Sequence, residues 1–62
     1  RKYLIVKNYF SKHKDTKVRL EYNKEELRIY KLIINFEGQI YDIFYGEFDK
    51  VYGVFTEIRH FL

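Results

Sequence analysis

The 62-residue chain has no cysteine, proline, methionine, tryptophan or alanine, three glycines and two histidines. Without cysteine there is neither a disulfide to staple a small fold nor a thiolate for a metal, and His13 and His60 are too few for a histidine-based centre. A chain this short buries only about 60% of the surface its unfolded form exposes. Oligomerisation, partner binding or dense packing is therefore expected to hold it together. Long apolar runs are also missing: LIV at 4–6 and LIINF at 32–36 fall far short of the roughly 20 residues of a membrane span. No signal-peptide pattern opens the chain, so a soluble, cytoplasmic protein is expected. A start at Arg1 rather than methionine is what a fragment, a processed product or a trimmed chain would show. Gly-rich phosphate loops, histidine–glutamate zinc motifs and calcium loops are absent, and no cofactor, metal or small-molecule substrate is expected.

What remains is rich in apolar and aromatic residues. Hydrophobic residues make up 47% and aromatics 21%, too much for a disordered segment, so one small folded domain over 1–62 is expected. Phe, Tyr, Ile, Asn and Lys, all with AT-rich codons, supply half of the chain, which points to an AT-rich genome such as that of a low-GC bacterium, a phage or another mobile element. The net charge of +3 is polarised: residues 1–24 carry eight Lys or Arg against Asp15 and Glu21, whereas 25–62 carry four against seven carboxylates. A basic end of this kind steers toward nucleic acid or an acidic protein, or pairs head to tail with a second copy.

The segment KYLIVKNYF, 2–10, is β-branched and aromatic and reads as a strand. KVRLEY, 17–22, alternates strictly, with Val18, Leu20 and Tyr22 on one face and Lys17, Arg19 and Glu21 on the other, so the two segments are expected to pair as an antiparallel ribbon. NKEEL then has the form of a helix start, Asn23 as cap and Glu26 at the capping-box position. With Ile29, Leu32, Ile33 and Phe36 on one side, this predicts a helix over 24–37 that ends at Gly38. Tyr41, Phe44, Phe48, Val51, Phe55, Ile58 and Leu62 recur at steps of three and four, which predicts a second helix over 40–62. The expected fold is thus α+β, a ribbon followed by two helices. The alternative is an antiparallel β meander with or without a C-terminal helix, in which 33–45 is a hairpin turning at Glu37-Gly38.

SKHKDTK, 11–17, places Ser11, His13 and Asp15 close together. A hydrolytic triad draws its members into a sheltered pocket from separated parts of the chain, whereas these three alternate with lysines in a polar link. A solvated turn is the reading, with phosphate or carboxylate contact by Lys12, His13, Lys14 and Lys17 as its functional alternative. Asp42, Glu47 and Asp49 read as surface charge, and no enzyme is expected. On the predicted second helix Tyr45, Tyr52 and Arg59 form a stripe of residue types enriched at interface hot spots.

TKVRLEYNKEELRIYKLIINFEG, 16–38, resembles the ribbon and first helix of the ribbon-helix-helix repressors, although QIYD follows Gly38 where that family has a serine or threonine helix start. The resemblance implies an intermolecular ribbon that aims Lys17, Arg19 and Glu21 at bases in the major groove. Two functions follow as expectations. One is a non-enzymatic protein-binding module of the inhibitor or adaptor type, possessing a protein partner, a homodimeric state or both, and using Tyr45, Tyr52 and Arg59. The other is a small nucleic-acid-binding protein that uses Lys12, His13, Lys14, Lys17 and Arg19.

Overall fold

The computed structural model describes residues 2–62, which form a four-stranded antiparallel sheet and, among the described residues, one helix. The elements run β1 Tyr3–Phe10, β2 Thr16–Asn23, β3 Tyr30–Phe36, β4 Gln39–Gly46 and α1 Phe48–Phe61, and the strands are neighbours in sequence order, β1-β2-β3-β4. The alternation of β2 does what it predicts: Val18 and Leu20 point to the helix side and are fully buried. They pair with Ile34 and Leu32 of β3, and Leu32 pairs in turn with Phe44 of β4. Val51 and Phe55 of α1 close this core from above. Beside it five rings, Tyr22, Tyr30, Phe48, Tyr52 and Phe55, stand in series with centroids 5.1, 5.2, 5.2 and 5.9 Å apart, tying β2 and β3 to the helix.

The ribbon of β1 and β2 is where the sequence places it. The helix expected over 24–37 is not formed. Asn23 does cap, its Oδ1 accepting the N–H groups of Glu25 at 2.8 Å and Glu26 at 3.0 Å, but what it caps is a turn. Ile29 N–H donates to the Glu26 carbonyl, Arg28 takes a positive φ of 77°, and the chain reverses into β3. Leu32 and Ile33, adjacent in sequence, are both buried because they pack on opposite faces of the sheet, a pattern suited to a strand between two paired strands. The turn into β4 is the two-residue Glu37-Gly38 hairpin loop, with φ of 51° and 87°, the signs of a type I′ turn. Gly38 is left-handed, as a glycine there suggests, yet it closes a hairpin and not a helix.

The second helix is shorter than the periodicity predicts, starting at Phe48 instead of 40. The steps of three and four continue back into β4 because of a bulge. Leu32 pairs with Phe44 and Ile33 with Asp42, so Ile43 is extra, and Tyr41 and Phe44, three residues apart, lie on the same face. A similar irregularity at Val6 interrupts β1. Both outer strands thus carry a bulge, a feature that discourages edge-to-edge pairing. The two-helix layout and the ribbon-helix-helix arrangement give way to the meander with a C-terminal helix: β2 is paired on both sides within its own chain and is not free to form an intermolecular ribbon.

The α1 start has no side-chain cap at Glu47, but Asp49 in its first turn and Arg59 and His60 in its last oppose the helix dipole favourably. Its end is held by the Ser11 hydroxyl, which donates to the Leu62 carbonyl at 3.3 Å. No helix among the described residues is long and apolar enough to cross a membrane.

Candidate binding surface

With α1 on one side, the other face of the sheet has no second layer among the described residues. The register assigns it Tyr3, Ile5, Asn8 and Phe10 from β1; Lys17, Arg19, Glu21 and Asn23 from β2; Lys31, Ile33 and Asn35 from β3; and Ile40, Asp42 and Tyr45 from β4. In its middle the long side chains lie flat and pair among themselves. Arg19 Nε is 2.8 Å from Glu21 Oε2, close in distance though with its N–H off the hydrogen-bond axis. Lys31 Nζ is 3.8 Å from Asp42 Oδ1 and 4.0 Å from the centroid of the Tyr3 ring, so this ammonium sits between a carboxylate and an aromatic face. Beneath these groups Ile33 is 5% exposed.

Around the paired charges stand large apolar side chains in water. Phe10 is 71% exposed, Ile40 61%, Tyr45 55% and Ile5 47%. Lys17 Nζ lies 5.6 Å from the Phe10 centroid. Tyr45 donates its hydroxyl proton to Asp42 Oδ2 at 3.2 Å. The charge of Asp42 and that hydrogen bond both disfavour the phenolate, and the Tyr45 pKa is raised above its ordinary value.

The residues singled out from sequence fall in three places. Tyr45 is on this uncovered face, whereas Tyr52 and Arg59 are on α1, across the sheet from it. The stripe of three is therefore broken, because the chain is a strand through Gly46 and the helix that would have aligned them begins two residues later. Tyr52 is half-buried, stacked on Phe48, and Arg59 holds its guanidinium 5.1 Å from the Phe55 ring, so both support the core. Lys12, His13 and Lys14 are in the β1–β2 loop and, with Lys17, Phe10, Asn35 and Glu37, line an open cleft of about 660 Å3 at one end of the sheet. Arg19 is not among the residues that line that cleft and lies further along the uncovered face, beside Lys17, Ile33, Asn35 and Ile40. In the same loop the Ser11 hydroxyl accepts the backbone N–H of His13 at 2.9 Å while donating to Leu62, an arrangement that builds a turn.

Tyr3, Phe10, Lys31, Ile40 and Asp42 were not marked by sequence as surface partners of Tyr45. The signal for Lys31 was the alternation Tyr30, Leu32, Ile34 against Lys31, Ile33, Asn35, visible only once 30–36 is taken as a strand. Among the described residues no group of three or more His, Cys, Asp or Glu is placed to hold a metal ion. Comparisons with protein-family models, curated proteins and solved structures find no match to this chain.

Proposed function

We propose that the protein is a non-enzymatic binding module, of the inhibitor or adaptor type, that engages another protein through the uncovered sheet face. The observation that carries this reading is the pattern on that face: exposed Phe10, Ile40 and Tyr45 surrounding Arg19, Glu21, Lys31 and Asp42, whose charges are already paired within the chain. A phosphate reader presents unpaired cations. A protein interface has apolar and aromatic anchors and few unpaired charges, and Tyr is among the residues most enriched at its hot spots. The bulged edges direct recognition to the face and away from strand addition.

The test is affinity capture from the source cells, comparing the wild type with a Tyr45→Ala, Ile40→Ser variant. These side chains are exposed, so thermal unfolding should be unchanged to within about 0.5 kcal/mol. Loss of Tyr45 alone is expected to cost about 1–2 kcal/mol of binding, or roughly 5- to 30-fold in affinity. Equal recovery of the same partner by both forms would remove the face from the interaction.

One observation favours nucleic acid as a second reading: Lys12, His13, Lys14 and Lys17 converge on the same end cleft. If the three lysines each neutralised a phosphate, affinity for a duplex would fall with a log–log salt slope of about −2.7. A flat salt response, or no loss on changing Lys14 and Lys17 to Glu, excludes it.

A further inference from the structure

A helix is about 10 Å across and strands are about 4.8 Å apart, so one helix covers roughly two strands of a four-stranded sheet. The core under α1 comes from β2 and β3. Phe44 of β4 packs against the edge of this core, and outside it, between α1 and β4, runs a groove of about 570 Å3 lined by Phe44, Gly53, Val54, Ile58 and Phe61, with Asp49, Lys50 and Glu57 also along it. Phe61 is 82% exposed there, and Phe36 and Tyr41 are also exposed.

We propose that this groove is filled by α1 of a second copy, lying antiparallel to the first across a twofold axis. The sequence of the helix is self-complementary about that axis. Lys50, Gly53, Val54 and Glu57 follow the i, i+3, i+4, i+7 spacing of a single stripe. If two such stripes cross antiparallel with the axis between Gly53 and Val54, Lys50 meets the partner's Glu57 and Glu57 meets the partner's Lys50. A parallel crossing instead sets like charges together. At the crossing point a Cβ on Gly53 would have nothing within 4 Å, so the position is open to an approaching helix and offers no bulk of its own to hold it off. Val54, Ile58 and Phe61 supply the apolar contact, and the two helices become the middle layer between two sheets.

A dimer of ordinary size buries about 800 Å2 on each partner. Set against the 4651 Å2 of this chain, that is a surface a 62-residue fold without disulfides has reason to cover. The arrangement uses only the helix side. It therefore leaves both uncovered sheet faces outward, on opposite sides of the dimer, and stands or falls independently of what those faces bind.

The experiment is sedimentation equilibrium of the whole chain from low micromolar to several hundred micromolar, with far-UV circular dichroism on each sample to confirm folding. The wild type is expected at twice its 7.8 kDa mass within that range. Lys50→Glu and Glu57→Lys, each replacing two attractive pairs with two repulsive ones, should each weaken the dimer about tenfold or more. The double variant Lys50→Glu, Glu57→Lys restores both pairs and should return to within about threefold of wild type. Gly53→Gln should give a folded monomer. A wild type that stays monomeric throughout, a dimer indifferent to Gly53→Gln and to both single reversals, or a double variant no better than the singles would overturn the proposal.

Discussion

Truncating Phe55 to alanine removes the largest fully buried side chain of the core. Its ring lies among Val18, Leu20, Leu32 and Val51, 5.9 Å from the Tyr52 ring and 5.1 Å from the Arg59 guanidinium. Its fully buried neighbours Val18, Leu20, Leu32 and Val51 are short and held in the sheet or on the helix, so the space can be refilled only in part. Phe-to-Ala truncations in such settings cost about 3–5 kcal/mol. A domain of this length is stable by about 3–9 kcal/mol, taking about 0.05–0.15 kcal/mol per residue. The variant should therefore lose about a third of its stability or more, and be substantially unfolded if the parent lies at the low end. The assay is urea unfolding followed by far-UV circular dichroism at low micromolar concentration, where association adds little. Phe61→Ala is the control, because that ring is in water within one chain and its removal should cost no more than about 0.5 kcal/mol. If Phe55→Ala costs under about 1 kcal/mol, or no more than Phe61→Ala, then α1 does not pack on the sheet through this side of the helix.

Three further outcomes are expected. Replacing Glu37, whose φ is 51°, with Asn makes the Asn-Gly pair preferred in type I′ turns and should stabilise the chain by about 0.5–1 kcal/mol, while Gly38→Val should cost about 1–2 kcal/mol or more; thermal or urea melts decide both. Asn23→Ala strands two N–H groups in the β2–β3 turn and should cost about 1–2 kcal/mol, and a loss below about 0.3 kcal/mol would mean the cap is idle. Asp42→Asn should bring the Tyr45 pKa back down toward about 10, as followed by NMR pH titration of the ring. The sign for stability follows: below about pH 10 the contribution of Tyr45 is complete, and it is lost as pH rises through the raised folded-state value, since the unfolded chain gives up that proton first.

The strands at 3–10 and 16–23 were legible in the sequence because β2 alternates cleanly with one face buried. The β3 segment was not, since its core residues Leu32 and Ile33 serve opposite faces of the sheet and so occupy adjacent positions. Asn23, a helix-capping residue at the head of the predicted segment, made the helical reading more attractive still. Asn23 does make its capping bonds, which is why local chemistry misleads here; the outcome is set by Arg28, which reverses the chain, and by β2 and β4 lying on either side. In β4 a bulge at Ile43 spaces Tyr41 and Phe44 by three, and the helical period therefore runs on through a strand without a break. Of the candidate site, Tyr45 and the face bearing Lys17, Arg19 and Glu21 were named from sequence. Their union with Tyr3, Phe10, Lys31 and Ile40 depends on pairing of strands far apart in the chain, and composition and spacing do not encode it.

Protein binding by the uncovered sheet face, as proposed above, can be read out by placing a photo-crosslinking residue at position 40 on that face and, separately, at position 56 on the helix, and irradiating each in lysate of the source cells. The prediction is a single protein adduct from position 40, displaced by unlabelled wild type at roughly 5- to 30-fold lower concentration than by the Tyr45→Ala variant, and little of that adduct from position 56. An adduct formed equally from both positions, one displaced equally well by the variant, or capture of nucleic acid in place of protein would contradict it.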